Sequence, residues 1–252
     1  MRAGSRRGLA RLGISTGAAL IGALMLCALG APVRADTPLP PIRSELSSQL
    51  FINGAKTAAL SPRWPMSAPI NWTVDPANIE ASGAQAPAEI ERWQRVIGFL
   101  AQATGYRFNY VPVRPGQAAH VPGADPTIAG INVVITYESG DQRPGLLVAG
   151  VIAEASLTWL ETPADASGWA DRRAVAGAII MDYPDLGAQG CGRWMTLEDR
   201  VGLMAHEYGH VMGLGHSSDP RSVMFPYWLA GRGDYTASDR LALVDLAGQS
   251  RS

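Results

Sequence analysis

Lysine is almost missing from this chain. Of its 21 basic residues only Lys56 is a lysine, and arginine carries the rest. Cysteine is nearly as scarce, with Cys27 and Cys191 alone, and histidine occurs four times. Charged residues fill 17% of the 252 positions and hydrophobic ones 47%. That balance is ordinary for a soluble globular protein and excludes a disordered or fibrous chain. The arginine skew, with its many Ala and Gly, reads as the bias of a GC-rich genome and not as a mechanism. No internal repeat is evident.

The first 35 residues read as an export signal. Arg2, Arg6, Arg7 and Arg11 make a basic start, Leu12 to Gly30 carries no charge, and Val33-Arg34-Ala35 offers a cleavage site before Asp36. Ser5-Arg6-Arg7 with Leu9 is similar to a twin-arginine signal. An uncleaved anchor is the alternative, but the glycines and alanines make the stretch weak as a membrane span. Cleavage removes five arginines and no acidic residue, which leaves 16 basic against 22 acidic residues, a net of −6. Such a balance argues against nucleic acid or an anionic membrane as partner. With Cys191 as the one remaining cysteine, no intramolecular disulfide can form. The expected destination is secreted or extracellular, or the cell envelope if the signal is retained.

Residues 36–62, rich in Pro, Ser and Ala, read as a spacer or short pro-segment, and residues 63–252 as one domain. Ile70 to Val74 alternates as a strand. Residues 87–104 place Ile90, Trp93, Val96, Ile97 and Leu100 at helical spacing, with Pro87 at the start and Gly105 at the exit. Strands are expected over 106–111, 131–136, 148–159 and 174–181, the last ending in a turn at Asp182-Tyr183-Pro184-Asp185. The order of elements predicts an α+β (α/β-type) domain with a twisted mixed sheet.

The chemistry concentrates in residues 195–216. Thr196 with Asp199 can open a helix by mutual capping. Leu197, Val201, Met204, Tyr208 and Val211 then form one apolar stripe. On that helix His206 and His210 stand one turn apart on one face, close enough to reach one ion at about 2.0–2.1 Å each. Glu207 lies beside that ion, where it can take a proton from a bound water. Gly213 can end the helix in the left-handed conformation, and the chain can turn back to present His216. Three histidines leave a fourth position for water, as in catalytic zinc sites. Five fixed identities match by chance on the order of once in 10⁴ chains of this length. Three of the four histidines fall within these eleven residues; His120 lies apart, in a Gly/Pro loop.

His206-Glu207-x-x-His210-x-x-Gly213-x-x-His216, followed by Met224, resembles the metzincin clan of zinc endopeptidases. His216-Ser217-Ser218 and Ser222-Val223-Met224-Phe225-Pro226 are similar to the matrixin branch, the matrix metalloproteinase type. Arg63-Trp64-Pro65 ahead of a first strand and Thr236-Ala237-Ser238-Asp239 opening a last helix fit the same order. The resemblance implies a zincin domain with a small C-terminal subdomain beginning just after Gly213 and a substrate cleft between the two parts. It implies one catalytic zinc on His206, His210 and His216, with Glu207 as general base. Met224 would form the Met-turn beneath the ligands. Gly150-Val151-Ile152-Ala153 would be the edge strand that pairs with extended substrate. Pro226-Tyr227-Trp228 would wall the pocket for the residue after the scissile bond, with aromatic core filling an equal alternative for Trp228.

The departures from the family are as informative. Glu154 stands where a histidine for a second, structural zinc is expected, so one zinc is predicted. Asp182 and Asp185 could bind calcium, although turn-stabilising aspartates are the simpler reading. Residues 36–62 hold no cysteine to occupy the metal, and Cys191 reads as a small buried residue. The sequence thus predicts an exported bacterial zinc endopeptidase acting on protein or peptide substrates, with no nucleic acid and no stable membrane association. The alternatives are a narrow-specificity or self-processing enzyme and a catalytically silent binding module on the same fold.

Overall fold

A computed structural model describes residues 19–21, 49–51, 61–118, 130–147, 151–161, 171–187 and 196–249. In chain order the elements are β1 (Ala19–Ile21), β2 (Gln49–Phe51), β3 (Ile70–Val74), a 3-10 turn (Glu80–Ser82), α1 (Ala86–Thr104), β4 (Phe108–Tyr110) and β5 (Val133–Glu138). There follow β6 (Ala153–Glu161), β7 (Arg172–Asp182), α2 (Tyr183–Gly187), α3 (Leu197–Val211), β8 (Leu214–Ser217) and α4 (Ala237–Gln249). The expected α+β class with a mixed sheet is what the chain adopts. One sheet runs in the order β1-β6-β7-β5-β3-β4, and β2 pairs with β8 in a second, two-stranded one. Strands β4, β3, β5 and β7 are parallel, while β6 lies antiparallel to β7.

Each expected strand is present, the first with the expected ends Ile70–Val74 and the other four with shifted ends. Of the segment expected at 148–159, residues 148–150 lie outside the described residues, Val151 and Ile152 are buried ahead of the strand, and the strand itself runs from Ala153 to Glu161. The expected turn at 182–185 is instead the short helix α2. Two elements were not expected and fall in residues read from the sequence as spacer and export signal: β2 pairs Gln49 with Ser217 and Phe51 with Leu214, and β1 pairs with Ala155 to Leu157 of β6. Both pairings are between residues far apart in sequence, where local patterning carries no signal.

One face of the sheet is covered by α1 and α3. Trp93, Val96, Ile97 and Leu100 of α1 are buried with Trp72, Val74, Val133, Ile135 and Ile179 of the sheet. Tyr208 of α3 sits between Trp93 and Phe108, with ring centroids 6.3 and 6.1 Å away. Helix α3 was expected to be amphipathic, yet every residue from Asp199 to Val211 is buried. It is enclosed by the sheet and α1, and by the chain that follows it. Its start is fixed by the Thr196–Asp199 capping box, as the sequence predicts, and by a buried ion pair it does not. Arg200 donates to Glu89 Oε1 of α1 at 3.1 Å, to Ser82 Oγ at 3.2 Å and to the Leu186 carbonyl at 3.2 Å. Tyr137 also donates to Glu89, at 3.0 Å. A buried pair is secure only when its remaining hydrogen-bonding positions are filled, and here they are.

Asp182 closes β7 with Oδ1 buried and without a hydrogen-bond partner. Burial, and then the charge of Asp185, raise its pKa to about 7. Because this lies above the unfolded value, ionisation destabilises the fold increasingly as pH rises from about 4 through about 7. Asp182→Asn should therefore raise the Tm, and by more at pH 8 than at pH 5. A lower Tm for the variant at pH 8 would show instead that the carboxylate is held by a favourable partner such as calcium.

Candidate active site

Helix α3 brings His206 and His210 together on one face, as their spacing predicts. His206 Nδ1 lies 2.7 Å from the Val223 carbonyl and His210 Nδ1 lies 2.8 Å from the Leu214 carbonyl. A carbonyl only accepts, so each Nδ1 carries its proton and donates. Each Nε2 is then a bare lone pair, and the two lie 3.1 Å apart. Neither can donate to the other, so the contact is repulsive unless a cation bridges it. Two nitrogens bound to zinc at about 2.0–2.1 Å in tetrahedral geometry stand about 3.4 Å apart, close to the observed spacing.

The third histidine arrives through the turn after α3. Gly213 has a φ of 106°, in the left-handed region where a side chain is strained. A Cβ there would also meet the Pro62 carbonyl at 2.7 Å. Ser61 Oγ donates to the Gly213 carbonyl at 2.8 Å, and Trp64 Nε1 to the Val211 carbonyl at 2.8 Å. The turn is thereby clamped from outside, and β8 leads directly to His216. Its ring centroid lies 5.4 Å from that of His206 and 4.9 Å from that of His210. One nitrogen from each histidine falls within 4.8 Å of the other two; among the described residues this is the one such group of three or more metal-binding side chains. His216 Nε2 is buried and has no hydrogen-bond partner.

Electrostatics complete the fit to a cation. Burial pushes the His206 pKa down to about 3, helped by His216, and lowers those of His210 and His216 as well. Neutral imidazoles are the metal-binding form. Glu207 is fully buried and both its carboxylate oxygens lack partners. Burial, and then the charge of Glu154, raise its pKa well above the usual carboxylate range. A dication beside it would offset that cost. Three converging imidazole nitrogens and two orphaned carboxylate oxygens are what a zinc ion and its water would satisfy.

Met224 is fully buried, and its Sδ lies against Gly209, one residue before His210. Its backbone is held on both sides: Ser222 Oγ accepts from its N–H at 2.9 Å and its carbonyl accepts from Ser217 N–H at 2.8 Å. Ser222 donates in turn to Asp239 Oδ1 at 2.6 Å, and Asp239 Oδ2 accepts from the Thr236 N–H at the start of α4. The sequence singled out Thr236 and Asp239 as a helix start but gave no sign that Asp239 also holds the turn.

The expected substrate residues are distributed as follows. Gly150 lies outside the described residues, as do His120 and Cys191. Val151 and Ile152 are buried, and Ala153 begins β6. Pro226 is half-buried and Tyr227 exposed, at 44%. Trp228 packs on the core and also lines a small cavity beside α3. Arg232, which no motif marked, lines the same cavity.

Ser222→Ala should uncouple α4 from the Met224 turn by removing the Ser222–Asp239 hydrogen bond and the acceptor of the buried Met224 N–H. A loss of about 1–3 kcal/mol in unfolding free energy is expected, read by urea denaturation. A loss below 0.5 kcal/mol would mean that the turn does not depend on α4.

Residues 173–247 match the matrixin family of peptidases. Over 57 residues the chain is 39% identical to matrix metalloproteinase-25 of Homo sapiens, covering 21% of this chain and 10% of that protein. Over 46 residues it is 46% identical to matrilysin of Rattus norvegicus, covering 18% of this chain and 16% of that protein. The chain therefore spans under a fifth of the length of either relative. No helix among the described residues is long and apolar enough to cross a membrane. The matched segment holds His206, Glu207, His210, His216 and Met224, and its similarity to matrixins suggests zinc metalloprotease chemistry.

Proposed function

We propose that this chain is a secreted zinc-dependent endopeptidase that hydrolyses peptide bonds of protein or peptide substrates. The observations that carry the reading are the convergence of His206, His210 and His216 and, next to His206 on the same helix, the buried, partnerless carboxylate of Glu207. In a silent scaffold a buried carboxylate without partners would be a cost with no return.

His206, His210 and His216 would hold the metal, with the Val223 and Leu214 carbonyls fixing two of the rings in the tautomer that presents Nε2. Zinc bound there supplies a water acidified to about pKa 7 and an electrophile for the carbonyl oxygen. Glu207 accepts the proton of the attacking water and returns it to the departing amine. Met224 takes no proton; it packs beneath the ligands. An extended substrate would lie along the outer edge of β6 beginning at Ala153, with Pro226, Tyr227 and Trp228 facing its next residue.

One observation favours self-processing as a second reading. Ala19 to Ile21 pair antiparallel with Leu157 to Ala155, so the chain's own leader occupies the edge that a substrate strand would use.

Glu207→Gln should retain one zinc per chain and an unchanged fold but lose kcat by about 10²–10⁴-fold. Elemental analysis with a quenched-peptide assay checks both halves. Turnover within a few fold of the parent would refute the assignment of Glu207 as the base.

A further inference from the structure

Strand β6 has β7 on its inner side, and among the described residues its outer edge meets only the three residues of β1. Ala153, Ala155 and Leu157 of β6 belong to the main core. Alternation along the strand therefore turns Glu154 and Ser156 to the other face. On that face Glu154 stands opposite Ile180 of β7, and Ile180 packs in a separate apolar cluster with Leu147 and Val151. The neighbour that β7 offers the Glu154 carboxylate is thus a hydrocarbon.

Glu154 is 6% exposed, and no described residue forms a hydrogen bond or ion pair with its carboxylate. Burial raises its pKa, and no cation or donor opposes the shift. The carboxylate is near enough to the site for its charge to act on Glu207, which carries the same sign. A buried acid in such surroundings costs folding free energy until a cation pairs with it. The outer edge is where that partner can arrive. The register of β1 shows how a strand seats there: Ala19, Leu20 and Ile21 lie opposite Leu157, Ser156 and Ala155. In that register the next position of the added strand falls opposite Glu154. Residues directly opposite in an antiparallel pair send their side chains to the same face, with Cβ atoms about 4.5–5.5 Å apart. A lysyl or arginyl side chain spans that distance without entering the core.

We propose that Glu154 is a specificity-determining residue: it selects substrates with lysine or arginine at the one position of the bound strand that lies opposite it. The inference rests on the peptidase reading above, in which substrate extends the sheet at β6. A basic residue there would form a charge-assisted hydrogen bond with the carboxylate. A neutral residue leaves the carboxylate unpaired, and an acidic one sets a like charge directly opposite it. The preference is confined to one position, because the next outward residue of β6 is the uncharged Ser156.

The test uses the full chain loaded with zinc and a neutral peptide in which each residue flanking the scissile bond is replaced in turn by arginine or glutamate. Binding of the same peptides to Glu207→Gln, followed by calorimetry, gives a second readout that needs no turnover. At one position arginine should raise kcat/KM and affinity by about tenfold or more, and glutamate there should lower both. Glu154→Gln, similar in shape and uncharged, should abolish the preference at that position with zinc content unchanged. Glu154→Arg should turn it toward glutamate, and each variant supplies the comparison if the other does not fold. A parent enzyme with no position that favours arginine, or a preference that neither variant changes, overturns the proposal. So does an equal gain at every position, which is the general attraction of an acidic protein for a basic peptide. If no peptide is cleaved the peptidase reading falls, while binding to Glu207→Gln still decides the role of Glu154. Arginine favoured at one position, and no longer favoured once Glu154→Gln is added, supports it; equal, reversed or absent binding overturns it.

Discussion

Everything at the site depends on reversing the chain immediately after α3. A single helix face can present two histidines one turn apart, but the third donor must come from another direction within six residues of His210. Gly213 makes this possible by taking a φ of 106° where the Pro62 carbonyl leaves no space for a side chain. The turn is not free to relax, because Ser61 and Trp64 bond to the carbonyls on either side of it and β2 pairs with the strand that carries His216. Residues ahead of the sheet therefore take part in placing the last ligand. A metal bound there would couple α3 to β8 and stabilise the fold by its own binding free energy.

The rest of the structure keeps α3 fixed in a medium hostile to charge. The helix is buried from Asp199 onward, which desolvates the histidines into their neutral form and raises the proton affinity of Glu207. Its amino end is held by Arg200 to α1 and to the 3-10 turn through a filled hydrogen-bond set. Its far end is held through Val223 and Leu214, whose carbonyls set the ring tautomers. Ser222 and Asp239 carry the same rigidity on to α4. Such a site is organised before any ligand arrives, which lowers the reorganisation needed during the reaction.

The parts of this arrangement that were legible in the sequence are the local ones. Helix spacing placed Trp93 and Leu100 on one face of α1, the capping pair Thr196 and Asp199 located the start of α3, and the histidine spacing with Gly213 gave the three converging rings. The parts that were not legible are non-local. Nothing near Gln49 or Phe51 shows that they pair with residues more than 160 positions away. Glu89 and Arg200 belong to no sequence motif, and only the fold buries them against each other. Helix α3 read as amphipathic because its second face, polar in sequence, is covered by elements that follow it. Arg232 belongs to no motif, and its backbone approach to Gly202 is one that only the folded chain reveals.

The central claim is that His206, His210 and His216 together bind one zinc through nitrogen and leave one position for water. Zinc-edge X-ray absorption on the purified, zinc-loaded full chain tests it directly. The account predicts one zinc per chain with three nitrogen ligands at about 2.0–2.1 Å and one oxygen, and loss of one nitrogen in His216→Ala. A sulfur at about 2.3 Å, or a spectrum unchanged by His216→Ala, would contradict it.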